Sequence, residues 1–104
     1  SADGVTADAL GLHAGEGETS EMLHLRPDLV RRERLRPGYA GPMEEIVAHL
    51  RQSGLRATTA TGTLGDPCAA DAGRGARYLE VQVSAYRQWL DATAGPLQDP
   101  EQRR

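Results

Sequence analysis

The sequence predicts an α/β layered arrangement with few strands and a long C-terminal helix. Helical and strand-like patterns alternate along the chain, which is typical of layered α/β domains. The strongest pattern is an apolar stripe, with spacings of three and four residues, that runs from Cys68 to about Ala94. Only 38% of the 104 residues are hydrophobic and 4% aromatic, so the chain can bury one lean core.

The N-terminal part predicts one strand followed by one helix. Residues 5–12 are half apolar and predict a strand that ends at His13. After a glycine-rich break, Thr19 or Ser20 is expected to cap a helix that ends at Pro27. Three apolar side chains of this helix are expected to face the core: Met22, Leu23 and Leu25.

The middle of the chain predicts a surface connection, a helix and a strand. Residues 31–42 are charged and then rich in Gly and Pro, as in a surface connection. Residues 43–53 predict a helix that ends at Gly54, with Ile46, Val47 and Leu50 on one face. Residues 55–61 alternate with β-branched residues and predict a strand.

The last predicted element is the long helix. Its stripe consists of Ala72, Ala76, Leu79, Val83, Tyr86 and Leu90. Val81, Ala85 and Trp89 lie off this stripe, which suggests a second face covered by another chain or subdomain. Residues 95–104 are expected to form a polar, disordered tail. One or two strands cannot form a stable sheet, so we expect pairing with another polypeptide or membership of a larger domain.

Composition excludes several classes of protein. The net charge of −3 means that the chain has no excess of positive charge with which to bind nucleic acid or an anionic membrane. The single cysteine, Cys68, excludes an internal disulfide and a cysteine-rich zinc site. Apolar runs are too short to cross a bilayer, and residues 1–9 lack the features of a secretory signal, so a cytoplasmic location is expected.

The stretch LHAGEGETS, residues 12–20, carries the candidate chemistry. The small residues Ala14 and Gly15 leave room for a substrate to approach the neighbouring His13. A carboxylate at the start of the next helix, such as Glu18, can face the same space. The pair suits general acid/base work or a share in a divalent-metal site. The alternative is that these side chains are solvated on a surface loop.

Two sequence blocks resemble those of a known family. The pattern H-A-G-E-x-E-T-S, followed by an apolar helix and R-P-D-L-V, is similar to the C-terminal signature of the creatininase family of metal-dependent amidohydrolases. About fifty residues later, G-x-L-G-D-P-C-A-A-D-A-G-R-G at residues 62–75 resembles a second block of that family. The intervening sequence most resembles the branch found with mycofactocin biosynthesis, whose members are peptidases that trim a C-terminal dipeptide from a precursor peptide.

The resemblance implies a fold and a site. Residues 1–94 would be the C-terminal portion of a three-layer α/β/α sandwich, in an enzyme that usually forms homo-oligomers and hydrolyses an amide of a peptide or small molecule. It implies that His13 is catalytic and transfers a proton at the scissile amide, and that Glu18 is a metal ligand or an acid/base partner. Glu16 occupies a variable position and is expected to be solvated. Cys68 is expected to be a small, partly buried thiol, and Asp66 to belong to a structural turn.

The remaining metal ligands of the family lie in E-x-H-G and N-G-H-G-x-N segments, which are absent from this sequence. We therefore expect that zinc, manganese or iron(II) serves the complete enzyme and is not held by this chain alone. His24 and His49 are expected to be helix-face residues. The chain is expected to be a truncated gene product or fragment of the enzyme, or one partner of a split enzyme that needs the N-terminal half. The alternative is a non-catalytic remnant or assembly subunit.

Overall fold

The computed structural model describes residues 4–94, and the regular elements within them are helical. The α-helices are α1 (Ala7–Leu10), α2 (Glu16–Leu25), α3 (Met43–Ser53), α4 (Leu55–Thr58) and α5 (Ala72–Ala94). Short 3-10 helices lie at Pro27–Leu29, Arg32–Arg34 and Pro67–Ala69. Since no strand occurs in this range, the three-layer sandwich stays a prediction. The predicted tail, residues 95–104, lies outside the described residues. No helix within residues 4–94 has both the length and the apolar character needed to cross a bilayer.

Both predicted strands are wrong, because each segment contains a short helix. In residues 5–12, α1 begins after Thr6, whose hydroxyl accepts a hydrogen bond from the Ala9 amide at 3.2 Å. In residues 55–61, the turn of α4 is stabilised by the Thr58 hydroxyl, which donates to the carbonyl of Gly54, four residues earlier, at 2.8 Å. Threonine side chains that bond the local backbone favour turns and caps over strands.

The prediction for α3 is confirmed at both ends. The helix runs over Met43–Ser53 and ends at Gly54, which adopts φ +81°. At its start, the Met43 amide donates to a carboxylate oxygen of Asp8 at 3.1 Å. A carboxylate is favourable there because the N-terminal end of a helix carries partial positive charge. Through this contact α1 is joined to α3.

The main contact between elements is that of α2 with α5. The two helices pack tightly at Gly75, where a Cβ atom would lie 1.9 Å from the carbonyl oxygen of Ser20. Leu23 of α2 and Tyr78 of α5 are both buried in the core. Only a residue without a side chain at position 75 allows this close packing.

The helix α2 begins at Glu16, three residues before the first predicted cap, with Gly15 as its N-cap. Leu23 is buried as predicted, but Met22 and Leu25 are exposed, so these two inward assignments are wrong. The buried residues of α2 are Glu16, Thr19, Ser20 and Leu23. They recur at helical spacing, but most of them are polar, so an apolar pattern could not identify this face.

The stripe predicted for α5 does not contain the residues of this helix that are fully buried. The helix begins at Ala72 instead of Cys68, and its buried residues are Gly75 and Tyr78. Tyr86, a member of the stripe, is 62% exposed. Four large apolar residues of α5 remain exposed: Val81, Val83, Tyr86 and Trp89. The rings of the last two stack with centroids 5.8 Å apart.

The buried carboxylate of Glu16 fastens α2 to α5. It is 5% exposed and accepts hydrogen bonds from Ser20 Oγ at 2.8 Å, Arg74 Nε at 3.0 Å and Tyr78 Oη at 2.9 Å. Ser20 Oγ also accepts a hydrogen bond from the Asp71 amide at 3.0 Å. A buried charge needs such compensation. The prediction that Glu16 is solvated is therefore wrong.

The donors of this cluster keep their protons at neutral pH. Burial, together with the hydrogen bond to Glu16, raises the pKa of the Tyr78 phenol. The hydrogen bond to Glu16 also raises the pKa of the Arg74 guanidinium. A raised phenol pKa favours the folded state at neutral pH, and this contribution is lost as the pH rises through the folded-state pKa.

We predict that Gly75→Ala lowers the free energy of unfolding by about 1–3 kcal/mol, because the added methyl group would overlap the backbone of Ser20. Gly73→Ala, two residues earlier on α5, is the matched control. A Cβ there would meet only the side chains of Asp71 and Arg77, and alanine favours a helix by up to about 1 kcal/mol. Denaturant titration compares the two variants. Equal stability of both would contradict the packing.

Candidate active site

The predicted catalytic histidine lies between α1 and α2. The backbone of His13 forms an antiparallel bridge with Leu64, whose amide donates to the His13 carbonyl at 2.8 Å. Leu64 is 1% exposed and also forms a parallel bridge with Tyr39. The side chain of His13 itself is exposed. The backbone of His13 is therefore attached to a buried residue while its imidazole remains accessible.

Glu18, in the first turn of α2, contacts the residue that follows His13. Its carboxylate accepts a hydrogen bond from the Ala14 amide at 2.5 Å, and the Thr19 hydroxyl donates to the Ala14 carbonyl at 3.4 Å. Ala14 has φ +52° and is the single non-glycine residue of the described chain with positive φ. This costly conformation is held by side chains of α2, and such strain is concentrated at functional sites.

Glycines allow chain segments to cross next to this loop. A Cβ atom on Gly15 would lie 2.8 Å from the Leu10 carbonyl oxygen, and one on Gly11 would lie 2.6 Å from the Leu64 carbonyl oxygen. A Cβ atom on Gly65 would lie 3.0 Å from the Cα atom of Gly11 and 3.1 Å from that of Gly15, so the three glycines pack against one another. Gly15 is buried there, so its missing side chain makes room for backbone. A role for Gly15 in substrate binding stays a prediction.

A cavity of about 420 Å³ opens beside the loop. Ala14 and Glu18 line it, together with apolar side chains and two arginines from the connection between α2 and α3. Its volume is in the range of small-ligand pockets. The structure thus brings two of the four predicted site residues to one cavity. The other two, His13 and Gly15, do not line it.

The described residues do not by themselves fit a metal ion. No group of three or more His, Cys, Asp or Glu side chains within residues 4–94 is arranged to hold one. A catalytic zinc ion generally needs three protein ligands, which Glu18 and His13 alone cannot supply. His24 lies on α2 and His49 on α3, as predicted, and His49 Nε2 is 3.3 Å from the Ala57 carbonyl oxygen.

Cys68 lies in the turn that precedes α5. The expectation of a partly buried thiol is wrong, because Cys68 is exposed. Asp66 caps the 3-10 helix at Pro67–Ala69 by accepting a hydrogen bond from the Cys68 amide at 2.9 Å. A hydrogen bond to the same carboxylate raises the pKa of the Cys68 thiol. The thiol is therefore not activated as a nucleophile, and the turn is structural.

The sequence prediction missed the buried role of Glu16. Its spacing of four from Ser20 places both residues on one face of a helix, but only if the helix begins before Glu16. A helix that starts at Thr19 or Ser20, as predicted, does not include Glu16, so the spacing could not indicate a shared helix face. The two arginines of the cavity were missed for a different reason, because they come from a segment that showed only the composition of a surface connection.

Comparison with known proteins identifies relatives. The creatininase family model, described as creatinine amidohydrolase, matches residues 2–90. The mycofactocin precursor peptide peptidase of Mycobacterium tuberculosis (strain CDC 1551 / Oshkosh) is 44% identical over 89 residues, and that of Mycobacterium ulcerans (strain Agy99) is 40% identical over 89 residues. Each of these matches covers 82% of this chain and 36% of the relative. The chain therefore spans little more than a third of the length of these curated relatives.

A solved structure supports the same relationship. The crystal structure of a candidate creatinine amidohydrolase from Bacteroides fragilis NCTC 9343 matches with a TM-score of 0.62 at 27% identity. The match covers 86% of this chain and 37% of that chain. The helical arrangement of residues 4–94 therefore corresponds to part of a creatininase-like fold. On the family match and the identity to these relatives, the chain belongs to the creatininase family.

Proposed function

We propose that the chain forms one wall of the active site of a metal-dependent hydrolase that cleaves a C–N amide bond. The loop of residues 13–18 carries this proposal. It holds an exposed imidazole on a backbone attached to the buried Leu64, and the amide of the following residue, Ala14, donates to the carboxylate of Glu18, which lines an open cavity. Membership of the creatininase family supports the same reaction class.

The two side chains of the loop have distinct proposed roles. His13 protonates the departing amide nitrogen, since an imidazole exchanges protons near neutral pH. Glu18 serves as a metal ligand or as the acid/base partner of His13. Ala14 presents only a methyl group at the cavity, and a role of the buried Gly15 in substrate binding stays a prediction. The strained φ of Ala14 supports this arrangement, because α2 holds the loop in one conformation.

Zinc, manganese or iron(II) is the proposed cofactor of the complete enzyme, since members of the family generally depend on a metal. Such an ion supplies Lewis-acid polarisation of the scissile carbonyl. The further metal ligands are proposed to come from a region that this chain lacks and its longer relatives have, either on the same polypeptide or on a partner chain.

The exposed apolar residues of α5 favour a further contact between copies. A cytoplasmic location stays a prediction.

A peptide is the proposed substrate. The relatives with 40% and 44% identity are mycofactocin precursor peptide peptidases, and the identity extends over 82% of this chain. The cavity beside Glu18, of about 420 Å³, has a volume in the range of small-ligand pockets. We therefore propose the mycofactocin precursor peptide as the substrate of the complete enzyme.

We predict that this chain alone does not bind a divalent ion tightly, because the described residues offer no cluster of three ligands. Calorimetric titration with zinc should show no stoichiometric binding with a Kd below about 1 µM, the affinity that corresponds to roughly 8 kcal/mol. Tight binding would contradict this assignment.

We predict that His13→Ala and Glu18→Gln each lower kcat of the complete enzyme by about two orders of magnitude, the scale for removing a positioned acid or base. Glutamine keeps the shape of Glu18 and can still accept the hydrogen bond from the Ala14 amide. Loss of bound metal in Glu18→Gln would identify a ligand, whereas full metal occupancy with lost turnover would identify an acid/base partner.

Two control variants accompany this test. His24→Ala and Glu44→Gln change the same residue types at exposed helical positions and should leave turnover near the wild-type value. Wild-type turnover in both His13→Ala and Glu18→Gln would refute the site. No hydrolysis by the wild-type complete protein would instead favour the non-catalytic remnant.

A further inference from the structure

Residues 59–63, called here the threonine turn, are joined by hydrogen bonds between threonine side chains and the local backbone. The Thr59 hydroxyl donates to the Thr63 carbonyl at 2.9 Å. Thr59 Oγ1 also lies 3.3 Å from Thr61 Oγ1, and since a hydroxyl has one proton, Thr61 is the donor in this second bond. Thr61 Oγ1 in turn accepts a hydrogen bond from the Thr63 amide at 3.3 Å. Gly62, at φ +83°, provides the left-handed residue of the turn.

Thr59 is the buried residue of the threonine turn. It is 8% exposed, and it does not line the cavity beside Glu18. Its amide donates to the Leu55 carbonyl at 3.0 Å at the end of α4, so its backbone is held there while its side chain reaches Thr63. A buried hydroxyl is costly unless it is hydrogen-bonded, and the Thr63 carbonyl meets this requirement. Thr59 therefore connects the end of α4 to Thr63.

The threonine turn leads directly into Leu64, the residue that holds the backbone of His13. The Leu64 carbonyl accepts hydrogen bonds from the amides of Leu12 at 2.8 Å and His13 at 3.3 Å, and the Leu64 amide donates to the His13 carbonyl at 2.8 Å. Leu64 is 1% exposed, so these bonds are shielded from water. The Thr63 carbonyl also accepts a hydrogen bond from the Tyr39 amide at 3.2 Å. The backbone of His13 is thus positioned by the segment that Thr59 holds.

We propose that Thr59 is a positioning residue for His13. Its hydroxyl fixes the Thr63 carbonyl, and this fixes the next residue, Leu64, to which the backbone of His13 is bonded. A shift of about 1 Å in a reacting group can cost up to about two orders of magnitude in rate, so a buried hydroxyl outside the cavity affects turnover. That His13 is catalytic rests on the proposed function, but the positioning of its backbone does not.

The test compares Thr59→Val with Thr58→Val in the complete protein. Valine keeps the shape of threonine and removes the hydroxyl. In Thr59→Val the Thr63 carbonyl still accepts the hydrogen bond from the Tyr39 amide, so no buried acceptor is left without a donor. Thr58 is the matched control, because its hydroxyl donates to the Gly54 carbonyl within α4 and not to the threonine turn.

We expect Thr59→Val to speed hydrogen exchange of the Leu64 amide about fivefold, the scale of one hydrogen bond. The kcat should fall by a similar factor with KM unchanged, and Thr59→Ser, which keeps the hydroxyl, should retain wild-type values. In the His13→Ala background Thr59→Val should lower kcat no further, because residues that act through one another are not additive. Thr58→Val should behave like the wild type.

Three outcomes would overturn the proposal. They are unchanged exchange of the Leu64 amide in Thr59→Val, the same changes in Thr58→Val, and an equal loss of turnover in the His13→Ala background. If the complete wild-type protein hydrolyses no amide, the proposed function fails, and exchange of the Leu64 amide alone decides whether Thr59 positions His13. Amide hydrolysis together with unchanged exchange in Thr59→Val would support the proposed function and refute the positioning role.

Discussion

A carboxylate buried between two helices must be compensated in charge and fully hydrogen-bonded, and Glu16 meets both requirements. Its partners are Ser20 on its own helix and Arg74 and Tyr78 on α5. Removal of one partner would leave a buried charge short of a donor, which is far more costly than the net gain from forming one hydrogen bond. The contact at Gly75 brings the two helix backbones close enough for these bonds. The position of α2 therefore depends on this cluster.

The position of α2 in turn determines the conformation of the candidate site. Each residue of a helix is rotated about 100° from the one before it, so side chains two positions apart point in directions about 160° apart. Glu16 can therefore face α5 while Glu18 faces the cavity and holds Ala14. In the stretch H-A-G-E-x-E-T-S, the first glutamate and the serine fix the helix, and the histidine and the second glutamate remain accessible for chemistry.

Part of this arrangement could be predicted from the sequence. The bounds of α3 follow from its apolar spacing and from Gly54, and the two motif blocks identified the family. Apolar periodicity failed where polar residues are buried, as in α2, and where the helix packing depends on a glycine, Gly75. It also failed where a hydroxyl bonds its own backbone, as at Thr58 in the second segment predicted as a strand. The cavity could not be predicted, because its arginines and Glu18 come together only in the folded chain.

The claim that the Glu16 cluster fixes the candidate site is tested most directly by amide hydrogen exchange over residues 13–20. Tyr78→Phe removes one donor to Glu16, whereas Tyr86→Phe removes the same hydroxyl from an exposed position of α5. Loss of a donor to this buried carboxylate, at about 2 kcal/mol, should speed exchange in this segment about thirtyfold in Tyr78→Phe. Tyr86→Phe should exchange like the wild type. Unchanged exchange over residues 13–20 in Tyr78→Phe would contradict the claim.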